Sequence, residues 1–231
     1  MASLLFDPTP VTQRHGIVVS FDLSGFSDFC NQADAHVTIP RFISGLFDEL
    51  DRFTMNALQT FLFGVSHKRI PAPRFIKYTG DGAILIWEAP NGKFEEAFCT
   101  ALVAAMRALQ QQIVSSLPKW EEEWRVSRLP KAARFGIASG LVYPLKARSE
   151  TLLDGEVIDY VGYCINLAVR LQNHCPELGF LVHNPVHPKL PGMTKLNALR
   201  MKGVRDEPVL AFDEDLQRIS SGIFEQKFSH R

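Results

Sequence analysis

Three short segments of this 231-residue chain gather the residue types that handle phosphates and metal ions. The first is Phe21-Asp22-Leu23-Ser24-Gly25-Phe26-Ser27. It sets a carboxylate at the end of an apolar run, then a glycine turn, then a helix start. In that order Asp22 can face a cation while the free amides of Gly25, Phe26 and Ser27 face an anion. Asp and Gly after a strand also make an ordinary turn, so the segment alone leaves both readings open. The second is Lys77-Tyr78-Thr79-Gly80-Asp81-Gly82. It places Asp81 in a tight turn between two apolar runs, although Asp-Gly is a favoured hairpin turn for conformational reasons alone. Lys77 interrupts the otherwise apolar Phe75–Tyr78, as a binding group or as a lysine guarding a sheet edge. The third runs from Asp159 to Leu171. Asn166 and Arg170 are spaced i, i+4 and share one face of a helix, and Asp159 stands just before the glycine turn at Gly162.

The elements that must position these groups are legible from periodicity. Gly16 to Phe21 is a β-branched apolar run of strand length, and Phe26 to Gln32 opens a helix. Pro40 is placed to begin a second helix, along which Phe42, Ile43, Leu46, Phe47, Leu50, Phe53 and Leu58 recur at helical spacing. His67 to Arg74 is a basic, proline-rich loop. Phe75 to Tyr78 and Ala83 to Trp87 form a hairpin around the Gly80–Gly82 turn. Phe94 to Val114 is a long amphipathic helix, and Trp120 to Trp124 reads as a solvated helical turn. Ala133 to Val142 is a strand carrying Gly136 and Gly140, and Pro144 to Val157 a polar loop. Tyr163 to His174 is a helix ending before Pro176. Phe180 to His183, Ala198 to Met201 and Val209 to Phe212 are short strands, and the polar tail from Asp213 is expected to be peripheral. Helices and strands alternate without a strict βαβ rhythm, which predicts an α/β sandwich with a largely antiparallel sheet.

Composition narrows the function classes. Apolar residues make up 46% and charged residues 22%, the balance of an ordinary globular chain. Lys plus Arg and Asp plus Glu are both 25, so bulk electrostatic binding to nucleic acid is not expected. No apolar run approaches the roughly 20 residues that span a bilayer. Met1 to Pro8 lacks the basic and apolar regions of a secretion signal. Cys30, Cys99, Cys164 and Cys175 form no C-x-x-C pair, sit among apolar residues, and are expected to be reduced core thiols of a cytoplasmic protein. His183 and His187 are four apart, but Pro185 and Pro188 argue against a zinc-binding helix.

Taken together the segments say more than each does alone. F-D-x-x-G-F, K-x-x-G-D-G, G-I-x-x-G from Gly136 to Gly140, and D-x-x-G-x-x-x-N-x-x-x-R follow one another in this order. The pattern resembles the catalytic domain of class III nucleotide cyclases, the adenylate and guanylate cyclase family. Leu199 to Pro208 also resembles that family's closing L-K-G-x-x-x-P segment. The resemblance implies a ferredoxin-like, largely antiparallel sheet with flanking helices over residues 14–212. Residues 1–13 would then be an N-terminal extension and 213–231 a C-terminal tail. It implies a homodimer with composite sites. Asp22, Asp81 and the Leu23 carbonyl of one protomer would hold two divalent ions, Mg²⁺ or Mn²⁺, with the amides of Gly25, Phe26 and Ser27 on the terminal phosphates. The other protomer would bring Lys77 and Asp159 to the base, Asn166 to the ribose and Arg170 to the α-phosphate, with Lys202 or Arg205 reaching the polyphosphate. A further basic residue of the family, after the G-I-x-x-G strand, has only Lys146 and Arg148 as weak counterparts. An inactive nucleotide-binding module would be expected to lose a metal-binding Asp or the Arg, and both are present. A diguanylate cyclase would carry G-G-[DE]-E-F at the hairpin, which reads Tyr78-Thr79-Gly80-Asp81-Gly82 instead.

The hairpin wording F-I-K-Y-T-G-D-G-A, the small size and the absence of a fused input module resemble the stand-alone pyrimidine cyclases of bacterial antiphage (Pycsar) systems. That implies cyclic UMP or cyclic CMP, read by a separate effector protein. Donor Lys77 and acceptor Asp159 match the edges of adenine or cytosine better than uracil, which would need reversed order or water. Tyr78, Tyr160 and Tyr163, in a chain with 17 Phe, either narrow the pocket for a pyrimidine or are simply core packing. The order of expectation is UTP, then CTP, with ATP the alternative.

Overall fold

Gly16 to Phe21 are all buried, which is why the run is apolar on both parities: β1 (Arg14–Ser24) is a central strand with packed layers on both faces. In the computed structural model, residues 12–52, 70–89, 91–124, 128–146, 157–204 and 206–230 are described. After β1 come α1 (Phe26–Cys30) and α2 (Ala35–Arg52). Then follow β2 (Phe75–Tyr78), β3 (Ala83–Glu88), α3 (Glu96–Trp124), β4 (Ala132–Lys146), β5 (Val157–Val161) and α4 (Tyr163–His174). The last part holds β6 (Phe180–His183), a 3₁₀ turn at Asn184–Val186, β7 (Met193–Ala198), β8 (Glu207–Phe212), α5 (Asp213–Leu216), α6 (Ser221–Lys227) and β9 (Phe228–His230).

The strands form one sheet in the order β2-β3-β1-β4-β6-β8-β7-β9, with β5 paired to the far end of β4. β4–β6 is parallel and the other pairings are antiparallel. The first four strands, read β4-β1-β3-β2, have the ferredoxin-like arrangement. Ile17, Val19, Phe21 and Leu23 pack with Phe42, Leu46, Leu102 and Met106 of α2 and α3. Val18 and Ala138 pack on the opposite face, with Leu167, Ala168 and Leu171 of α4.

The close seating of α4 explains the G-I-x-x-G motif. A Cβ at Gly136 would lie 2.1 Å from the Ala168 carbonyl oxygen and 2.5 Å from the Gln172 nitrogen. Only a bare backbone lets the helix lie this near β4, and Ser20 Oγ of β1 then donates to Gln172 Oε1 at 2.5 Å. Gly136→Ala is therefore expected to destabilise the fold by about 1–3 kcal/mol, the usual range for overpacking a core. A melting curve checks this, and an unchanged melting temperature would show that the helix shifts freely.

Several local expectations are corrected. Pro40 lies inside α2, not at its start, because Ala35 to Ile39 already form a turn whose helix absorbs the missing N–H. Trp120 to Trp124 are the end of α3, and Trp120 packs edge-on against Phe42 at 5.8 Å while the glutamates stay exposed. β4 runs on through Pro144 to Lys146, and Val157 begins a strand, where a polar loop was expected. The strand expected at Ala198–Met201 lies earlier, at Met193–Ala198. The tail is not peripheral: Phe228 is buried, β9 pairs with β7, and Arg107 binds Glu214 and Asp215. Phe53, Leu58 and the loop residues His67 to Arg69 lie outside the described residues. The four cysteines are free, three buried and Cys30 partly exposed. Among the described residues no helix is long and apolar enough to cross a membrane.

Candidate active site

The backbone of the hairpin turn lies directly on the end of β1. A Cβ at Gly82 would stand 2.0 Å from the Phe21 carbonyl oxygen and 2.9 Å from the Asp22 Cα. Glycine at 82 thus brings the neighbouring Asp81 against Asp22, and the two carboxyls share a hydrogen bond. Burial comes first, followed by that hydrogen bond and the like charge of Asp22, in pushing the Asp81 carboxyl up to about 6. The amide of Asp81 and the Arg134 guanidinium act in the opposite direction.

Arg134 is the cation nearest this pair. It is the cross-strand partner of Asp22 on β4 and donates from its Nη2 to Asp22 Oδ2. Its Nε is buried without a partner. Two crowded carboxylates balanced by one guanidinium suit a divalent cation. Among the described residues no group of three or more His, Cys, Asp and Glu could hold a metal. A cation here would accordingly rest on two carboxylates, a backbone carbonyl and the oxygens of a substrate phosphate.

The backbone carbonyl is supplied by the ladder itself. His15 accepts from the Ala89 amide on the β3 side, and Ser24 accepts from the Lys131 amide on the β4 side. Hydrogen-bonding direction alternates along a strand, so odd-numbered residues of β1 face β3. The β1–β3 ladder stops at Phe21 and Ala83, whereas β1–β4 continues to Ser24. The Leu23 carbonyl therefore faces the space beside the Gly80–Gly82 turn, while its side chain is buried. Next in the chain, Gly25 is in the left-handed region at φ 90° and caps α1 without a side-chain bond. The first amides of that short helix, at Phe26 and Ser27, have no partner within it.

Lys77 and Asp159 meet in one chain. Lys77 Nζ donates to Asp159 Oδ2 at 2.5 Å, both side chains being partly exposed. β5 carries Asp159 over this edge of the sheet, where Tyr160 stacks obliquely on Phe75 at 5.2 Å and donates to Glu88 Oε1 at 2.7 Å. Of the three tyrosines expected to narrow a base pocket, only Tyr160 lies beside this pair. Tyr78 packs on Phe47 of α2 at 4.3 Å, and Tyr163 donates to Glu207.

Asn166 is exposed on α4. Arg170, one turn on, lies against the turn after β7: a Cβ at Gly203 would be 3.4 Å from both terminal nitrogens of its guanidinium. Lys202 is the exposed neighbour of Gly203, and Lys146 is exposed at the end of β4. Arg205 and Arg148 lie outside the described residues. The structure thus brings Asp22 together with Asp81, Lys77 with Asp159, and Arg170 with the Lys202–Gly203 turn.

Arg134 was not anticipated. The available signal was a charged residue inside an otherwise apolar strand, two before Gly136, but only the register reveals that it faces Asp22. Tyr163, Glu207 and His183 were likewise not read as a group.

No protein-family model and no curated protein matches the chain. Solved structures do. The adenylyl cyclase CyaB from P. aeruginosa superposes with a TM-score of 0.63 at 17% identity, over 88% of this chain and 95% of that one. A rhodopsin-guanylyl cyclase catalytic core with converted specificity, in complex with ATPαS, gives 0.55 at 15% identity, over 88% and 98%. The guanylate cyclase domain of RhGC from Catenaria anguillulae, in complex with GTP, gives 0.51 at 12% identity, over 87% and 97%. This mixed sheet with its flanking helices, hairpin and crossing α4 is the fold of adenylyl and guanylyl cyclase catalytic domains.

Proposed function

We propose that this chain is a nucleotide cyclase, converting a nucleoside triphosphate into its 3′,5′-cyclic nucleotide and pyrophosphate. The observation that carries the reading is the Asp22–Asp81 carboxylate pair, held by Gly82 at the end of β1 in a cyclase fold. Two divalent ions bound there would lower the pKa of the ribose 3′-hydroxyl and neutralise charge on the departing pyrophosphate. The rest falls to the protein's own groups. Asp22, Asp81 and the Leu23 carbonyl hold the cations, and the Gly25, Phe26 and Ser27 amides cradle terminal phosphate oxygens. Arg134 holds Asp22 in place through its ion pair. Arg170 offsets charge on the α-phosphoryl oxygens, Asn166 orients the ribose, and Lys77 with Asp159 reads the base edge. Lys202 and Arg205 contact the polyphosphate. The functional unit is a homodimer.

For the base we favour UTP, then CTP. The hairpin wording supports this, as does the Phe75–Tyr160 ring pair behind Lys77 and Asp159. ATP is the alternative, supported by a neighbour solved with ATPαS and by the adenylyl cyclase CyaB. The product would be a second messenger read by a separate effector protein in antiphage defence. Free thiols accord with a reducing, cytoplasmic setting.

Incubation of purified protein with each of the four nucleoside triphosphates and Mn²⁺, followed by mass-spectrometric identification of products, tests both levels. Cyclic UMP is expected to dominate. Cyclic AMP in clear excess under matched conditions would overturn the pyrimidine assignment and leave the cyclase reading standing. No cyclic product from any substrate would overturn the cyclase reading itself.

A further inference from the structure

Three residues from three separate elements meet beneath the start of α4. Tyr163, its first residue, donates its hydroxyl to Glu207 Oε1 at 2.5 Å. The other carboxylate oxygen of Glu207 faces His183 Nε2 at 3.3 Å. Glu207 opens β8 and His183 closes β6, and both are largely buried. Burial and Glu207 push the Tyr163 hydroxyl up to about 12, so it stays a donor throughout the neutral range.

The position of Glu207 gives this group a consequence. Four residues earlier in the sequence, the Lys202–Gly203 turn rests against the Arg170 guanidinium. Glu207 is therefore bonded to the first residue of α4 and opens the strand four residues after the turn that touches Arg170 two turns along the same helix. Gly203 has φ +70°, a backbone conformation that favours glycine, and its bare Cα leaves the guanidinium in van der Waals reach of the turn.

The geometry points to the Tyr163–Glu207–His183 group as a clamp that locks the Lys202–Gly203 loop onto α4 and thereby aims Arg170, making Glu207 a positioning residue for the cyclisation step. This rests on the cyclase reading. The clamp acts through hydrogen bonds that a neutral amide can largely reproduce, since an amide oxygen still accepts from Tyr163. Misplacing a transition-state group lowers kcat far more than it raises KM.

The test uses the full chain with the triphosphate that the wild type turns over, at a temperature well below each variant's melting point. Glu207→Ala and Tyr163→Phe should each lower kcat about tenfold to a hundredfold with KM changed by less than about twofold. Glu207→Gln should recover most of the loss. Calorimetric binding of a non-reactive triphosphate analogue should keep the wild-type stoichiometry, which separates misalignment from a partly unfolded sample. In an Arg170→Lys background the cost of Glu207→Ala should shrink markedly, because the group it aims has been replaced. Wild-type kcat in Glu207→Ala, or an undiminished cost in the Arg170→Lys background, would overturn the clamp while leaving the cyclase reading intact. A wild type that makes no cyclic nucleotide removes both.

Discussion

Asp22→Ala and Asp81→Ala should each reduce cyclic-nucleotide formation by at least about a thousandfold, since several kcal/mol of charge stabilisation leaves with the bound cations. The fold should survive both changes. Neither carboxylate belongs to the apolar core, and their present partner is Arg134 and each other. Circular dichroism and melting check the fold, and product quantification checks the rate. A variant that still cyclises near the wild-type rate would disprove the metal assignment for that residue.

The same pair carries a pH signature whose sign follows from its environment. Asp81 has its carboxyl raised from the ordinary 3.8 to about 6 in the metal-free protein. A raised folded-state value means stability that is fully present below the unfolded value and is lost as pH rises through the folded one. The metal-free protein should accordingly lose stability between roughly pH 4 and pH 6 on this account. Asp81→Asn removes the loss, so it should melt higher than the metal-free wild type at pH 7 and match it near pH 4. Added Mn²⁺ should raise the wild-type melting temperature at pH 7 and leave that of Asp81→Asn nearly unmoved. The variant would then be more stable and inactive, the trade expected where function requires two crowded carboxylates.

Much of this site was legible because its parts are local. Asp22 ends an apolar run and Asp81 sits in a Gly-flanked turn, so β1, the hairpin and the Asn166–Arg170 face of α4 can each be read from a dozen residues or fewer. What escaped reading depends on register. Arg134 looks like a stray charge until β4 is aligned with β1 and sets it opposite Asp22. Tyr163, Glu207 and His183 are separated by up to 44 residues and meet only because β8 inserts beside β6. β5 was missed because Val157-Ile158-Asp159-Tyr160-Val161 follows a polar stretch and pairs with the part of β4 that outruns β1. The tail was misread for a related reason: its only deeply apolar anchors, such as Phe228, are spaced between polar residues. Arg107 holds it down through a partly buried ion pair with Asp215, which no periodicity announces.

The second large effect concerns how a complete site is assembled. In one chain the carboxylate pair sits at the β1–β3 edge, whereas Arg170 lies against the turn leading to β8. β4 and β6 intervene between β1 and β8. Phe29 of α1, which follows Asp22, packs on the α2–α3 face of the sheet, whereas α4, which carries Arg170, covers the opposite face, so one chain does not bring both groups to one α-phosphate. Asp22→Ala and Arg170→Ala should therefore each be inactive alone and regain activity when mixed under conditions that let protomers exchange. Each heterodimer carries both lesions in one of its sites and leaves the other clean. With random exchange about a quarter of all sites are intact, as two-fold symmetry requires. The measurement is product formation alongside mass-resolved proof of exchange between labelled protomers. Recovery toward that fraction identifies the site as shared between two chains, whereas complete exchange without recovery would mean that each chain closes a site of its own.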